Sequence, residues 1–156
     1  MNRTLLLALA LFLPVTFLAF LFTRDTDIVT PPQSGKESLT RVTIANIPVY
    51  VTVADDAAEK TQGLGGRASL GESEGMLFLF KSDGRPGIWM KAMLIPIDII
   101  WADKDGRVVH IEHSISPTTY PKTFSPDTDA RYVLEVNAGF SEAHGLRLGD
   151  LLNIEP

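Results

Sequence analysis

The chain has 156 residues, with 14 Lys and Arg against 19 Asp and Glu for a net charge of −5, and it has no cysteine. The length suits one domain, and the missing cysteines exclude disulfides, thiolate metal sites and thiol catalysis. Arg3, Arg24 and Lys36 cancel Asp25, Asp27 and Glu37, so the acidic excess belongs to residues 40–156; nucleic acid, which needs a basic face, is not an expected partner.

Residues 4–22 carry no charge, and as a helix they would span roughly 28 Å, the thickness of a bilayer core. Arg3 precedes the segment, while Arg24 is followed by Asp25 and Asp27. That bias keeps the amino terminus in the cytoplasm and places the rest outside, in the periplasm. A cleaved signal peptide would look similar and would release a secreted domain, but bulky Phe20, Leu21 and Phe22 leave no small-x-small cleavage site. The expectation is therefore a membrane anchor or signal sequence over 1–22. Residues 23–39, with Pro31, Pro32, Gly35 and mixed charges, read as a flexible tether. A single globular domain then fills 40–156.

Within that domain, Arg41–Asn46 and Val49–Val53 alternate polar with apolar residues and read as two strands of a hairpin, punctuated near Pro48. Asp56 followed by Glu59 fits a capping box, and Gly63 supplies a left-handed stop, so a helix of about two turns is expected between them. The run Met76–Phe80 reads as a buried strand, broken by 82–87. Residues 88–93 and 95–102 are the most apolar of the domain; the turn 103–106 leads into 107–113 as a second hairpin. Pro117, Pro121 and Pro126 make 114–129 a long surface loop. Arg131–Val136 resumes a strand, Phe140–His144 makes one helical turn closed by Gly145, and 151–154 is the last strand. The predicted class is mainly β, a small antiparallel barrel or sandwich of seven or eight short strands with one or two short helices, preceded by the membrane helix.

In order, Gln62–Arg67, Glu74–Phe80, Trp89-Met90-Lys91, Ile95–Ile100, Tyr132–Glu135 with Gly139, and Gly149-Asp150 resemble the family known as domain of unknown function 192. The resemblance covers nearly all of 41–155. It implies a small, mostly antiparallel β domain, common behind a signal or anchor in bacteria and archaea, with no established activity. Members of that family often have Asn or Asp after Trp-Met-Lys, where this chain has Ala92. If the polar group belongs to a binding constellation, this member has one contact fewer.

Asp98, between isoleucines, is the strongest candidate for chemistry. A carboxylate there is either hydrogen-bonded for structure, with Lys91 or Arg67 as possible partners, or raised in pKa by desolvation as general acids are. Glu135 shares a strand face with Arg131 and Val133 and is either solvated or a second carboxylate facing Asp98. Glu74 carries the same ambiguity. Trp89, Trp101 and Tyr132 could form an aromatic platform or pack the core, with Trp89, beside Lys91, the more site-like. On a strand, His110 and Glu112 would share a face and His113 the other, so no metal site is expected. Gly71–Gly75 spells G-x-S-x-G without the strand–turn–helix context a nucleophile needs. Gly63–Gly66 follows a helix instead of opening one and so cradles no phosphate. No pattern implies a cofactor.

The leading expectation is a membrane-tethered binding or accessory module for a small ligand, an envelope polymer or a protein partner, held near Trp89, Lys91, Asp98, Glu135, Arg67 and Glu74. The alternative is an envelope hydrolase using Asp98 and Glu135 as acid and base on a glycan or ester, which requires both in one pocket. A purely structural module is the third reading.

Overall fold

In a computed structural model, which describes residues 39–154 within the unit Gly35–Pro156, the alternating stretch 41–53 folds as a hairpin. Strand β1 (Thr40–Ile44) pairs antiparallel with β2 (Ile47–Ala54). The turn is Ala45-Asn46, with φ of 48° and 67°, the two-residue left-handed form whose twist matches the strands it joins. Pro48 lies inside β2 opposite Thr43, one step beyond the turn.

Helix α1 (Ala57–Gln62) has the expected capping box, in which Asp56 Oδ1 accepts from Glu59 N at 2.8 Å and the Glu59 side chain accepts from Asp56 N. Gly63, at φ 51°, ends it. With residues 63–73, α1 carries the chain back so that β3 (Glu74–Gly84) runs parallel to β2. This one pairing departs from the antiparallel barrel or sandwich expected, because consecutive strands can run parallel when a crossover of a dozen or more residues joins them.

The remaining elements are β4 (Ile88–Trp89), β5 (Ile97–Ala102), β6 (Val108–Ile115), β7 (Thr123–Phe124), β8 (Ala130–Asn137), α2 (Phe140–Ala143) and β9 (Leu152–Ile154). Seven strands form one curled, half-barrel sheet in the order β6-β5-β8-β3-β2-β1-β9, so the sandwich alternative falls away. The short β4 and β7 pair separately. The segment 88–93 is thus mostly not strand, and the proline-rich loop 114–129 contributes β7 and a 3-10 turn, Pro117–Thr119.

The sheet's two edges meet at one end. Val108 N donates to Asp150 O, Gly149 N to Val108 O and Leu152 N to Gly106 O, each at 2.8 Å. Gly106, at φ 78°, makes this approach possible: a Cβ there would stand 2.3 Å from Leu152 O.

Both faces of the central strands are covered, which is why their sequences are near-continuous apolar runs. Inside the curl, Ile44, Val51, Leu77, Ile100, Leu134 and Val136 pack together, with Phe140 and Leu146 closing one side. On the outer face, Met76, Phe78, Ile99, Trp101 and Val133 are covered by a second layer made of Leu64, Ile88, Met90, Met93 and Phe124. Trp101 is fully buried and its Nε1 donates to Pro86 O at 2.9 Å, pinning that layer to the sheet.

Among the described residues no helix is long and apolar enough to cross a membrane. The apolar segment 4–22 and the tether up to residue 38 lie outside the described residues.

Candidate functional site

The covering layer is open beside α1. Between the carboxyl end of α1 and strand β4, Lys60, Gly63, Leu64, Trp89, Lys91 and Met93 surround a shallow recess with a cavity volume of about 50 Å3, whose lining includes Glu135 of β8. That is well below the usual size of a ligand site and leaves room for one small polar group.

Glu135 sits opposite Met76 of β3 and Ile99 of β5 in the ladders. It is 4% exposed, and its Oε2 has no hydrogen-bond partner. Burial pushes its carboxyl up to about 8, because the neutral form costs far less to keep out of water than the charged one. At neutral pH the group is mostly an O–H donor in search of an acceptor.

The rim is aromatic and cationic. Trp89 is 44% exposed, with the Tyr120 ring edge-on at 6.0 Å and Lys91 Nζ 5.5 Å from its ring centroid. Lys91 makes no ion pair among the described residues. Lys60 lines the wall with its stem, while its Nζ donates to Asp55 O and lies over Phe80. Gly63–Gly66 shapes the adjoining wall: Gly66 N donates to Ala92 O at 2.8 Å, and a Cβ at Gly65 would lie 2.9 Å from Gln62 O and 3.3 Å from Lys91 O.

The structure therefore brings together three of the residues singled out from sequence, Trp89, Lys91 and Glu135, and separates the other three. Asp98 lies on the opposite face of the sheet, fully buried. Its Oδ1 accepts from Ser114 N at 2.8 Å and Gly139 N at 3.0 Å, and its Oδ2 from Ser141 N at 2.8 Å. That role is structural: it ties the bulge in β6, where Ser114 has φ 50°, to the start of α2. Neither Lys91 nor Arg67 approaches it. Glu74 Oε2 accepts from Gly71 N at 3.1 Å and holds a tight turn. Arg67 contacts Thr52 Oγ1 at 3.5 Å in a second groove, across α1, with Glu59 and Met76.

Of the three aromatic residues singled out from sequence, Trp101 is buried in the core, Tyr132 is partly buried against it, and Trp89 stands at the recess. His110 Nε2 meets Glu112 Oε1 at 3.3 Å, while His113 lies by α2. Among the described residues no three His, Asp or Glu side chains gather as metal ligands would. Lys60 and Tyr120 were missed from sequence; nothing in a helix lysine or a loop tyrosine signals which surface it will border.

Ala92 has φ 57°, the left-handed region. Asn and Asp tolerate that conformation better than Ala, so the polar residue usual at this place in the resembling family has a backbone explanation that needs no ligand.

A family model described as Uncharacterized ACR, DUF192, matches residues 40–154. Two solved structures are similar. One, from Sinorhizobium meliloti 1021 and described as a candidate transcription regulator, is 28% identical with a TM-score of 0.71, covering 76% of this chain and 95% of its own. The other, a protein of unknown function from Novosphingobium aromaticivorans DSM 12444, is 29% identical with a TM-score of 0.70, covering 74% of this chain and 84% of its own. No curated protein matches the chain.

Proposed function

The chain belongs to the DUF192 family, which brings no assigned activity, and on the geometry of the recess we propose that its β domain is a binding module held outside the cytoplasmic membrane by residues 4–22. The observation that carries the binding reading is Glu135: a buried carboxyl with an unpartnered oxygen, bordering an open recess. Such a group costs stability, and a ligand that completes its hydrogen bonding recovers that cost.

The extracytoplasmic placement rests on the uncharged 4–22 segment and on Arg3 ahead of it. The paired-acid hydrolase finds no support in the geometry, since Asp98 and Glu135 face opposite sides of the sheet and Asp98 already accepts three backbone N–H groups. The regulator role attached to the Sinorhizobium protein would require of this chain a basic face, and its domain carries the acidic excess instead.

The test is a thermal-shift screen of the full chain in detergent against small acids, amines, sugars and wall fragments, repeated with Glu135→Leu. A site in the recess raises the parent's melting temperature with at least one compound and loses that rise in the variant. If every compound shifts both proteins equally, or none shifts either, the domain has no ligand site there.

A further inference from the structure

Apart from Glu135, the only charged side chains among the described residues lining the recess are Lys60 and Lys91, on a protein with a net charge of −5. Charge complementarity across a protein of the opposite overall sign marks the class of ligand the recess admits. An incoming ammonium would meet Lys91 where it lies over Trp89, the face a ligand cation would need. A ligand rich in acceptors meets no such obstacle, and its charge is drawn toward Lys91.

The apolar part of the lining narrows the class. Leu64, Phe78, Ile88 and Met93 bring hydrocarbon to the recess, and the exposed Trp89 ring stands at its border with Tyr120 edge-on to it. Aromatic faces of this kind take rings with an apolar side. With a cavity volume of about 50 Å3 the recess itself admits only a small group such as a carboxylate, and a ring bearing it stays outside, at the rim beside Trp89.

We propose that the recess binds a small carboxylate borne on a ring, with a carboxylate oxygen accepting a hydrogen bond from Glu135, Lys91 neutralising its charge and the ring lying against Trp89. This rests on the binding reading given above and specifies its ligand. The chemistry is shared by an acidic sugar unit of an envelope polymer and by a free aromatic acid. The elements packed around Glu135 bring no other acid to it: β3 and β5 supply Met76 and Ile99, α1 supplies Lys60, and the segment after β4 supplies Lys91. The protonated carboxyl is the donor, so binding and protonation of Glu135 are linked.

The experiment is calorimetric titration of the full chain in detergent with glucuronate and benzoate, their uncharged counterparts glucose and benzyl alcohol, and benzylamine, at pH 7 and pH 9. We expect at least one acid to bind about tenfold or more tightly than its uncharged counterpart, and to weaken by about tenfold from pH 7 to pH 9 as Glu135 loses its proton. Glucuronate binding alone points to the polymer source, and benzoate alone to the free acid. Lys91→Gln, at an exposed position, weakens the acid about fivefold or more. Glu135→Gln, whose amide still donates, keeps binding and flattens the pH dependence. Benzylamine or an uncharged probe binding best, with that binding lost in Glu135→Leu, overturns the carboxylate while leaving the recess a site. Binding of an acid that neither variant alters overturns the placement, and no binding by any probe up to about 10 mM overturns the proposal itself.

Discussion

Glu135 makes the folded protein hold a proton that the unfolded chain releases. Its carboxyl is pushed up to about 8, against 4.5 as the ordinary value. Between those values the folded state binds more protons, so the stability this group contributes is complete below about pH 4.5 and is lost as pH rises through about 8. A tenfold change in an acid's ionisation constant corresponds to about 1.4 kcal/mol, so the loss is of the order of a few kcal/mol. Urea unfolding of the parent and Glu135→Gln, compared from pH 4.5 to 9, should show a falling difference in favour of the parent at low pH and of the variant at high pH. Parallel curves for the two proteins would mean that Glu135 is not buried as described. The alternation of Arg131, Val133 and Glu135 was legible in the sequence and correctly indicated its face. What covers that face was not, because the covering residues come from 60–64, 88–93 and Phe124, separate segments of the chain with no shared period.

At the scale of elements, Asp98 joins β5, the bulge of β6 and the start of α2 through three backbone N–H groups. Asp98→Ala leaves those donors buried and unpaired, and the expected loss is about 2–4 kcal/mol. Hydrogen exchange at Ser114, Gly139 and Ser141 should accelerate more than elsewhere, with ligand binding in the recess unchanged once the protein is folded. Uniform acceleration along the chain would deny Asp98 this joining role. The capping box of α1, the hairpin of β1 and β2 and the one-turn helix before Gly145 were legible, since each depends on residues within a few positions of one another, although the hairpin turns at Ala45-Asn46 and not at Pro48. The parallel pairing of β2 with β3 was not, because strand direction depends on how a crossover packs, which periodicity does not encode. Asp98 was correctly marked as exceptional by its apolar neighbours, but sequence cannot distinguish a carboxyl serving backbone donors from one serving a substrate.

For the whole molecule, the curl of the sheet is fastened where Gly106 passes Leu152. Gly106→Ala combines a left-handed φ of 78° with a Cβ 2.3 Å from a backbone oxygen. Gly149→Ala meets a similar φ of 91° with nothing within 4 Å of its Cβ. The second variant should cost about 1–2 kcal/mol, the strain of the conformation alone. The first should cost at least about 1 kcal/mol more and should raise exchange at Leu152 and Val108 amides. Equal losses in chemical denaturation would show that the close approach is relaxed at no cost.

The same fastening sets when the molecule can come into being. Residues 42–44 find their outer partners only in 152–154, and the start of β6 finds its own only in 149–152. Closing loops of that length is entropically costly and slow, so during synthesis β1 waits with one side unsatisfied until nearly the entire chain has emerged. The sheet's two edges are thus joined only after the last strand arrives, an order of completion that suits the passage across a membrane proposed here.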